Sequence, residues 1–290
     1  MDQAEQLRNI IKANSLSKPV ARVITVTSGK GGVGKSNTSI NLAIQFRKMG
    51  QRVIILDADF GLANIEIMFG AIPEYSLCDL IYQGKGIRDI ITWGPMEIGF
   101  ISGGSGIAGM ANLSRDYLNY IIKNLAELDS IADTIIIDTG AGISDAVLEF
   151  LVASGEIILV TTPEPTSITD SYSLLKALGR HPAFSAEGTK VKLIANKVEK
   201  TEEGDDLFNK LNVVVSNYLR MPLSYLGAVP WDMQLSRAVM QQMPVSIQAP
   251  GARSSRAYEA IAAKLTDRDV PIKKRGMAAF FSQIVTGRRM

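Results

Sequence analysis

A glycine-rich turn with two lysines lies near the start of the chain. It comprises Gly29, Lys30, Gly31, Gly32, Val33, Gly34, Lys35, Ser36 and Asn37. An apolar run, 22–27, precedes it and an amphipathic run, 37–48, follows it. Strand, glycine turn and helix in this order bind phosphate, because the backbone N–H groups of the turn and the positive end of the helix face an anion. Lys35 is expected to reach the terminal phosphates and the Ser36 hydroxyl to hold Mg²⁺.

Three aspartates follow apolar runs farther along the chain. Asp57 and Asp59 leave the carboxyl end of the run 53–56, and Asp138 ends the run 134–137. Side chains at the carboxyl ends of parallel strands lie where an α/β sheet binds its ligand. One carboxylate of the first pair can hold a Mg²⁺-bound water while the other orients the attacking water, and Asp138 is expected in the Mg²⁺ coordination sphere.

Composition sets limits on the class of protein. The chain has 290 residues, 46% of them hydrophobic, enough for one large α/β domain. No apolar run is long enough to span a bilayer, and the first residues lack a signal-peptide pattern. The single cysteine, Cys78, excludes a disulfide framework or a cysteine metal site within one chain. These features favour the reducing cytosol.

Charge is distributed unevenly. The net charge is +2, but residues 273–290 contain five basic residues and no acidic one, so the rest of the chain is net negative. A mildly acidic body with a basic end is a poor match to a general nucleic-acid-binding surface. Nucleic acid is therefore not an expected partner.

Short β-branched runs alternate with helical patterns over most of the chain. The predicted strands are 23–27, 53–56, 98–101, 134–137, 157–161, 192–195 and 225–229. The predicted helices are 36–48, 115–128, 145–153, 167–178 and 206–218. Continuous apolar strands separated by helices predict an α/β fold with a doubly wound, mostly parallel sheet. We expect this domain to span residues 20–266.

Both ends of the chain lie outside this pattern. Residues 2–11 carry an apolar helical stripe and are joined to the first strand by a linker, so residues 1–19 are predicted to form a separate segment. In residues 267–290 a second stripe follows a charged break. It comprises Met277, Phe280, Phe281, Ile284 and Val285.

The second stripe has basic residues on either side and is too short to span a bilayer. It can lie along an anionic membrane surface with its apolar side buried. The alternative is a terminal helix packed on the domain, and both arrangements can hold: docked in a monomer and released in a dimer.

The second lysine of the glycine turn gives the first family resemblance. KGGVGKS is similar to the deviant Walker A motif of MinD/ParA-type P-loop NTPases. In that family the first lysine, here Lys30, contacts the nucleotide of the other subunit, so the resemblance implies catalysis in an ATP-bound homodimer. It also implies that Asp59 activates water, with Asp57 in a supporting role, and that ATP and Mg²⁺ are the cofactors.

The same resemblance suggests a site for the base. Asn196 and Lys197 follow the run 192–195 and match residues that contact adenine, and a later turn with Pro230 and Asp232 closes over the base. The order Asn, Lys, Val, Glu also resembles the guanine-reading motif of GTPases, with Glu199 in place of aspartate. ATP is therefore the favoured nucleotide, and GTP remains an alternative.

Three further matches narrow the resemblance to the flagellar branch of the family, FlhG, FleN or YlxH. They are DQAEQLR at residues 2–8, DADFGLAN at 57–64 and DTGAGI at 138–143. The resemblance implies a switch that regulates flagellar placement, number or assembly. Its N-terminal helix would stimulate a signal-recognition-type GTPase, FlhF, through Gln3. The protein would be cytoplasmic and peripheral at the inner membrane face when ATP is bound.

Two alternatives belong to other classes. One is a partitioning or cell-division positioning ATPase of the ParA/MinD type, and the other is a regulatory module that holds nucleotide without turning it over. The family members that carry iron–sulfur clusters need paired cysteines, which this chain lacks. A loop like that from Gly103 to Gly106 is also common in the flagellar branch.

Overall fold

One eight-stranded sheet organises the chain in the computed structural model, which describes residues 20–59, 64–103, 123–267 and 276–287. Its strands are β1 (Arg22–Ser28), β2 (Val53–Ala58), β3 (Thr92–Trp93), β4 (Gly99–Ser102), β5 (Thr134–Ala141), β6 (Glu156–Thr161), β7 (Lys190–Val198) and β8 (Leu223–Pro230). The order across the sheet is β3-β4-β2-β5-β1-β6-β7-β8. All neighbours are parallel except β3 and β4. The predicted doubly wound α/β fold is confirmed.

Helices cover both faces of this sheet. They are α1 (Lys35–Lys48), α2 (Asn64–Phe69), α3 (Leu77–Gln83), α4 (Leu128–Ile131), α5 (Asp145–Ala153), α6 (Pro165–Arg180), α7 (Thr201–Leu219), α8 (Met233–Met240), α9 (Val245–Gln248), α10 (Arg253–Thr266) and α11 (Gly276–Gly287). Helices α1, α2 and α8–α10 contribute to the apolar core on one face, and α3–α7 with α11 to the cores on the other. Burial on both faces explains the continuous apolar strands.

Several elements are not predicted by the pattern. The antiparallel strand β3 has two residues, and α2 and α3 are short, so none of them contains enough residues for a period to show. Helix α10 is long and is not among the predicted helices. It packs against β8 and α1 with a face that combines Ser254 and Ser255 with an apolar stripe of Tyr258, Ile261, Ala262 and Leu265. The predicted helix at 115–128 lies mostly outside the described residues.

A buried ion network ties together the amino ends of three strands. Glu156 on β6 accepts hydrogen bonds from Arg22 on β1 and from Lys192 on β7, at 2.6–2.8 Å. Arg22 also donates to the Leu265 carbonyl at the end of α10. Burial alone would raise the pKa of Glu156, but the two cations lower it overall. Each charge is paired, as buried charges must be.

The C-terminal helix is docked on the domain. Met277, Phe280, Phe281 and Ile284 are all buried and join the core formed by α3, α4, α5 and strands β1, β2 and β5. The Phe280 ring packs 5.9 Å from that of Phe150 on α5. The stripe predicted to face a membrane therefore faces the protein interior here, because the uncovered sheet face offers the same apolar environment. The side chain of Val285 lies outside the described set.

This helix begins with an unusual close approach. Gly276 has φ +66°, and a Cβ there would lie 2.5 Å from the Asp129 carboxylate. Asp129 accepts a hydrogen bond from the Met277 N–H at 3.0 Å and another from the Ala21 N–H. Burial raises the pKa of this carboxyl group. Asp129 thus links the start of α11 to the start of β1. Among the described helices, none combines the length and apolar character required to cross a bilayer.

The buried network gives a stability prediction. Replacing Glu156 by Gln leaves Arg22 and Lys192 buried without an anion, so the free energy of unfolding at pH 7 should fall by about 3–5 kcal/mol in urea titrations. The pKa of Glu156 is lower in the folded than in the unfolded chain. Its contribution to the free energy of unfolding is therefore complete above the unfolded-state pKa and is lost as the pH falls through the folded-state pKa.

The stability difference between the two proteins should therefore shrink as the pH falls below 4.5, the ordinary pKa of Glu, and vanish only below the lowered pKa of the folded state. Glu259→Gln, an exposed site, is the matched control and should change stability by less than about 0.5 kcal/mol. A Glu156→Gln variant as stable as the control at pH 7 would contradict the role of the network.

Candidate functional site

The glycine turn connects β1 to α1 at the carboxyl edge of the sheet. Helix α1 begins at Lys35, and Gly34 before it has φ +96°, a conformation that favours glycine. A side chain at Gly34 would also clash with the Asn196 amide. By contrast, a Cβ at Gly31 or Gly32 would meet nothing within 4 Å, so these two residues border open space. The turn is shaped as a phosphate-binding loop requires.

Asp138 joins this loop to the end of β5. Its carboxylate accepts hydrogen bonds from Ser36 Oγ at 2.6 Å and from Ser39 Oγ at 2.7 Å. The Lys35 ammonium lies 3.3 Å from the same group, and both charged side chains are buried. The predicted lysine, serine and aspartate are therefore brought together in one cluster.

Asp57 and Asp59 lie beside that cluster. Asp57 on β2 is aligned with Asp138 on β5 and accepts hydrogen bonds from the Asp59 and Ile65 N–H groups. Burial, and then the charge of Asp138, raises the pKa of Asp57 to about 7. Asp59 sits on the rim, where its carboxylate would lie 3.6 Å from a Cβ at Gly140. Asp59 is partly exposed whereas Asp57 is buried, so Asp59 is the more accessible of the two carboxylates.

The donor set suits Mg²⁺. This ion is usually held by one or two carboxylates together with phosphate oxygens and waters. Ser36 and Asp138 offer a hydroxyl and a carboxylate already in contact, and Asp57 offers a second buried carboxylate that a nearby cation would help to ionise. No group of three or more His, Cys, Asp or Glu side chains in metal-binding geometry occurs among the described residues.

Asn196 and Lys197 hold the loop from the other side. Asn196 is buried and donates from its amide to the Val33 carbonyl at 2.7 Å. Lys197, with φ +58°, donates to the Gly32 carbonyl at 2.7 Å. The resemblance predicts that both residues contact a base, and here both contact the loop backbone. Their place near the carboxyl end of β7 nevertheless brings them next to the phosphate loop.

A cleft next to these residues is the candidate base site. It has a volume of about 430 Å³ and is lined by Lys197, Glu199, Trp231 and Arg253. Pro230 ends β8 just before the exposed Trp231, which donates from its backbone to the Val198 carbonyl. Glu199 and Trp231 are the side chains here that could distinguish or stack on a base.

Asp232, which is predicted to bind nucleotide, caps a helix in this structure. Its carboxylate accepts hydrogen bonds from the Gln234 N–H, the Ser254 N–H and the Ser254 hydroxyl, all at 2.9–3.0 Å. Partial burial opposes ionisation, but these bonds lower the pKa of Asp232 overall. It therefore joins the starts of α8 and α10 and shapes the cleft from outside.

Lys30 points away from the cluster around Lys35. Its ammonium contacts Glu164 and Thr166, each at 2.8 Å, at the start of α6. Glu164 is not among the predicted site residues, since nothing in its neighbourhood in the sequence distinguishes it from a surface glutamate. Its proximity to Lys30 arises only when β1 and β6 pair. Gln3 and residues 60–63 lie outside the described residues.

The chain is similar to known proteins over most of its length. Residues 19–266 match the model of the ParA family, described as NUBPL iron-transfer P-loop NTPase. The antiactivator FleN of Pseudomonas aeruginosa is 38% identical over 260 residues, 90% of this chain and 91% of FleN. The flagellum site-determining protein YlxH of Helicobacter pylori is 32% identical over 295 residues, 98% of each chain.

Solved structures agree on the fold. The septum site-determining protein MinD of Pyrococcus horikoshii, complexed with Mg-ADP, superposes with a TM-score of 0.66 at 21% identity, over 85% of this chain and 96% of that one. A ParA family ATPase from Chlorobium tepidum superposes with a TM-score of 0.67 at 20% sequence identity, over 86% of this chain and 100% of that one.

The geometry predicts that Asn196 acts through the loop. Asn196→Ala leaves the Val33 carbonyl without its buried donor, at a cost of about 1–3 kcal/mol. ADP, ATP and GTP should therefore all bind more weakly and by a similar factor, roughly tenfold, in calorimetric titrations. Asn209→Ala on the exposed side of α7 is the control. A loss confined to one base would show that Asn196 reads the base instead.

Proposed function

The chain belongs to the ParA family of P-loop NTPases, and on that premise we propose that it is an ATP-driven dimerising switch of the flagellar branch. The observation that carries the proposal is the loop with two lysines in different places, one at the phosphate site and one held at the surface. Similarity to FleN and YlxH over about nine-tenths or more of the chain supports the flagellar assignment.

Different residues of this chain have different roles in ATP hydrolysis. Lys35 and the loop N–H groups bind the phosphates, and Asp59 orients the attacking water from the rim of the pocket. Ser36 and Asp138 would hold Mg²⁺, with Asp57 behind them, and the ion would neutralise phosphate charge when bound. The cleft lined by Trp231 receives the base, and we favour adenine because the rest of the loop is of the deviant Walker A type.

Lys30 supplies the reason for a dimer. At the surface its ammonium pairs with Glu164, whereas the ammonium of Lys35 pairs with Asp138 at the phosphate site. An exposed ion pair of this kind is weak and readily exchanged. On dimerisation Lys30 would leave Glu164 for the phosphates bound by the second copy. A lysine supplied in this way stabilises charge in the transition state as an arginine finger does.

Two variants separate these roles. Lys30→Ala should bind ATP with little change, since Lys30 lies away from its own pocket, but should lose turnover by about a hundredfold or more. Asp59→Ala should bind ATP and remain dimeric, because only water activation is lost. Steady-state phosphate release and light scattering after size exclusion measure both, with Lys210→Ala as control.

A monomeric Asp59→Ala protein saturated with ATP would contradict the switch. Equal turnover of ATP by Lys30→Ala and by wild type would contradict the proposal that Lys30 acts on the nucleotide of the other subunit. If ATP is bound and neither variant nor wild type releases phosphate, the chain is a regulatory nucleotide-binding module instead.

The C-terminal helix would carry the output of the switch. In the docked state its apolar stripe is covered, so membrane contact requires release. Because its apolar side is only partly buried at a lipid surface, one helix binds the membrane weakly. Two helices on one dimer bind more tightly, because the first contact raises the effective concentration of the second helix at the membrane. We therefore propose a docked helix in the monomer and a peripheral membrane contact in the ATP dimer, on the cytoplasmic face.

Asp129 offers a test of that equilibrium. Asp129→Ala removes the carboxylate that caps α11, at a cost of about 1 kcal/mol to the docked state. Co-sedimentation with anionic vesicles in ADP should rise roughly fivefold. Asp267→Ala is the exposed control. Adding Phe281→Glu to the Asp129 variant should abolish sedimentation, and unchanged sedimentation would show that the helix is structural only.

The partner GTPase belongs to the same proposal. The segment 2–11 would dock on a signal-recognition-type GTPase and place Gln3 next to its substrate water. We expect the partner to hydrolyse GTP faster in the presence of the wild-type chain than in the presence of the Gln3→Ala variant. Salt-sensitive DNA binding without vesicle binding would instead favour a partitioning ATPase.

A further inference from the structure

A cavity of about 690 Å³ lies at the amino edge of the sheet, opposite the phosphate loop. Its apolar lining comes from Val53 and Ile54 at the start of β2, from Trp93 on β3 and from Ile131 on α4. Trp93 is 56% exposed, and Ile131 is only partly buried. The cavity has the size of a binding pocket, and the described residues leave part of its apolar surface uncovered.

The charged side chains at this cavity already have partners. Arg47 and Arg52 both line it, and they pair with Glu97 and Asp133, respectively. Arg52 also donates to the Ser130 carbonyl at 2.8 Å. An anionic ligand would have to displace these carboxylates. The surface that is left uncovered is apolar, so the occupant must supply apolar side chains.

The turn between β3 and β4 forms part of the cavity and has an uncommon backbone conformation. Met96 and Glu97 have φ +56° and +57°, in the left-handed region, although neither is glycine. Arg47 donates from Nε to the Met96 carbonyl at 2.8 Å. A Cβ at Gly94 would lie 2.9 Å from the Phe69 ring, so the turn is also closely packed there. Strain of this kind persists only where neighbouring contacts enforce it, which indicates a preformed cavity.

The chain enters the described structure close to this cavity. Arg22 on β1, Thr134 on β5 and Val53 on β2 lie side by side in the register of the sheet. Neighbouring strands are about 4.8 Å apart, so the start of β1 lies about 10 Å from the start of β2. Residues 12–19 can span up to about 26 Å. The segment 2–11 can therefore reach the cavity of its own chain.

The sequence of that segment offers the side chains that the cavity requires. Its stripe consists of Ala4, Leu7, Ile10 and Ile11, and all its other residues are polar. A short linker keeps such a segment at an effective concentration on the order of millimolar. Modest apolar contacts are then sufficient for docking, an advantage that a separate partner protein does not have.

We propose that residues 2–11 dock in this cavity of their own chain, with Leu7, Ile10 and Ile11 against Trp93 and Ile131. Docking removes the uncovered apolar surface of both parts from water. A docked segment is also withheld from a partner GTPase. Only this last consequence rests on the proposed function, since the docking itself requires no partner.

The fluorescence of Trp93 tests the docking in the full chain. Trp231→Phe leaves Trp93 as the only tryptophan, and acrylamide quenching then measures how accessible Trp93 is. Adding Leu7→Asp places a charge in the apolar stripe and releases the segment. The quenching constant should therefore rise, and the emission should shift to longer wavelengths.

Gln6→Asp is the matched control, because it adds the same charge at a polar position of the same segment. It should leave the quenching constant and the emission unchanged. Equal quenching with and without Leu7→Asp would overturn the proposal. An equal increase with Gln6→Asp would do the same, since the effect would then come from charge and not from the apolar stripe.

Cross-linking identifies the occupant. In a Cys78→Ser chain, Leu7→Cys and Ile131→Cys should be joined by a short bismaleimide into one linked monomer, detected by mass spectrometry. Leu7→Cys combined with Val213→Cys, at an exposed position on α7, should give no such product. A product that links two chains would show that a second copy supplies the segment and would overturn docking within one chain.

Discussion

The buried contact between Asp138 and the start of α1 is the interaction on which the site depends. It forms because β1 and β5 are parallel neighbours, with Val26 opposite Asp138, so that the end of β5 meets the loop that follows β1. A register shift of one residue would turn Asp138 to the other face of the sheet. The serine hydroxyls and Lys35 then have no buried anion to contact. Sheet register is therefore a condition for nucleotide chemistry here.

The same loop is held from three directions. Asp138 contacts it from β5, Asn196 and Lys197 from β7, and Glu164 holds Lys30 at the start of α6. Three loops converge because all the strands that carry them end at one edge of a parallel sheet. The contacts of Lys30 and Lys197 are exposed, whereas Asp138 and Asn196 are buried. Exposed contacts exchange more easily, while the buried ones keep the pocket in shape.

The C-terminal helix shows that an amphipathic pattern indicates an apolar environment for one helix face but does not indicate which apolar surface provides it. The stripe of Met277, Phe280, Phe281 and Ile284 fits a lipid surface by its periodicity, and it fits the uncovered sheet face equally well. Both environments remove apolar area from water. What distinguishes the docked state is the polar junction of Asp129 with the start of the helix, a contact between residues 148 positions apart.

The sequence alone determined the fold class, the identity of the phosphate loop and the acids beside it. These features depend on local order: β-branched runs that must be buried, glycines before a helix, and carboxylates just after a strand. Tertiary structure decided that Asn196 holds the loop backbone, that Asp232 caps a helix, that Glu164 pairs with Lys30 and that the last helix is docked. Each of these depends on a neighbour far away in the chain, and residue type and spacing carry no information about which distant group comes within hydrogen-bonding distance.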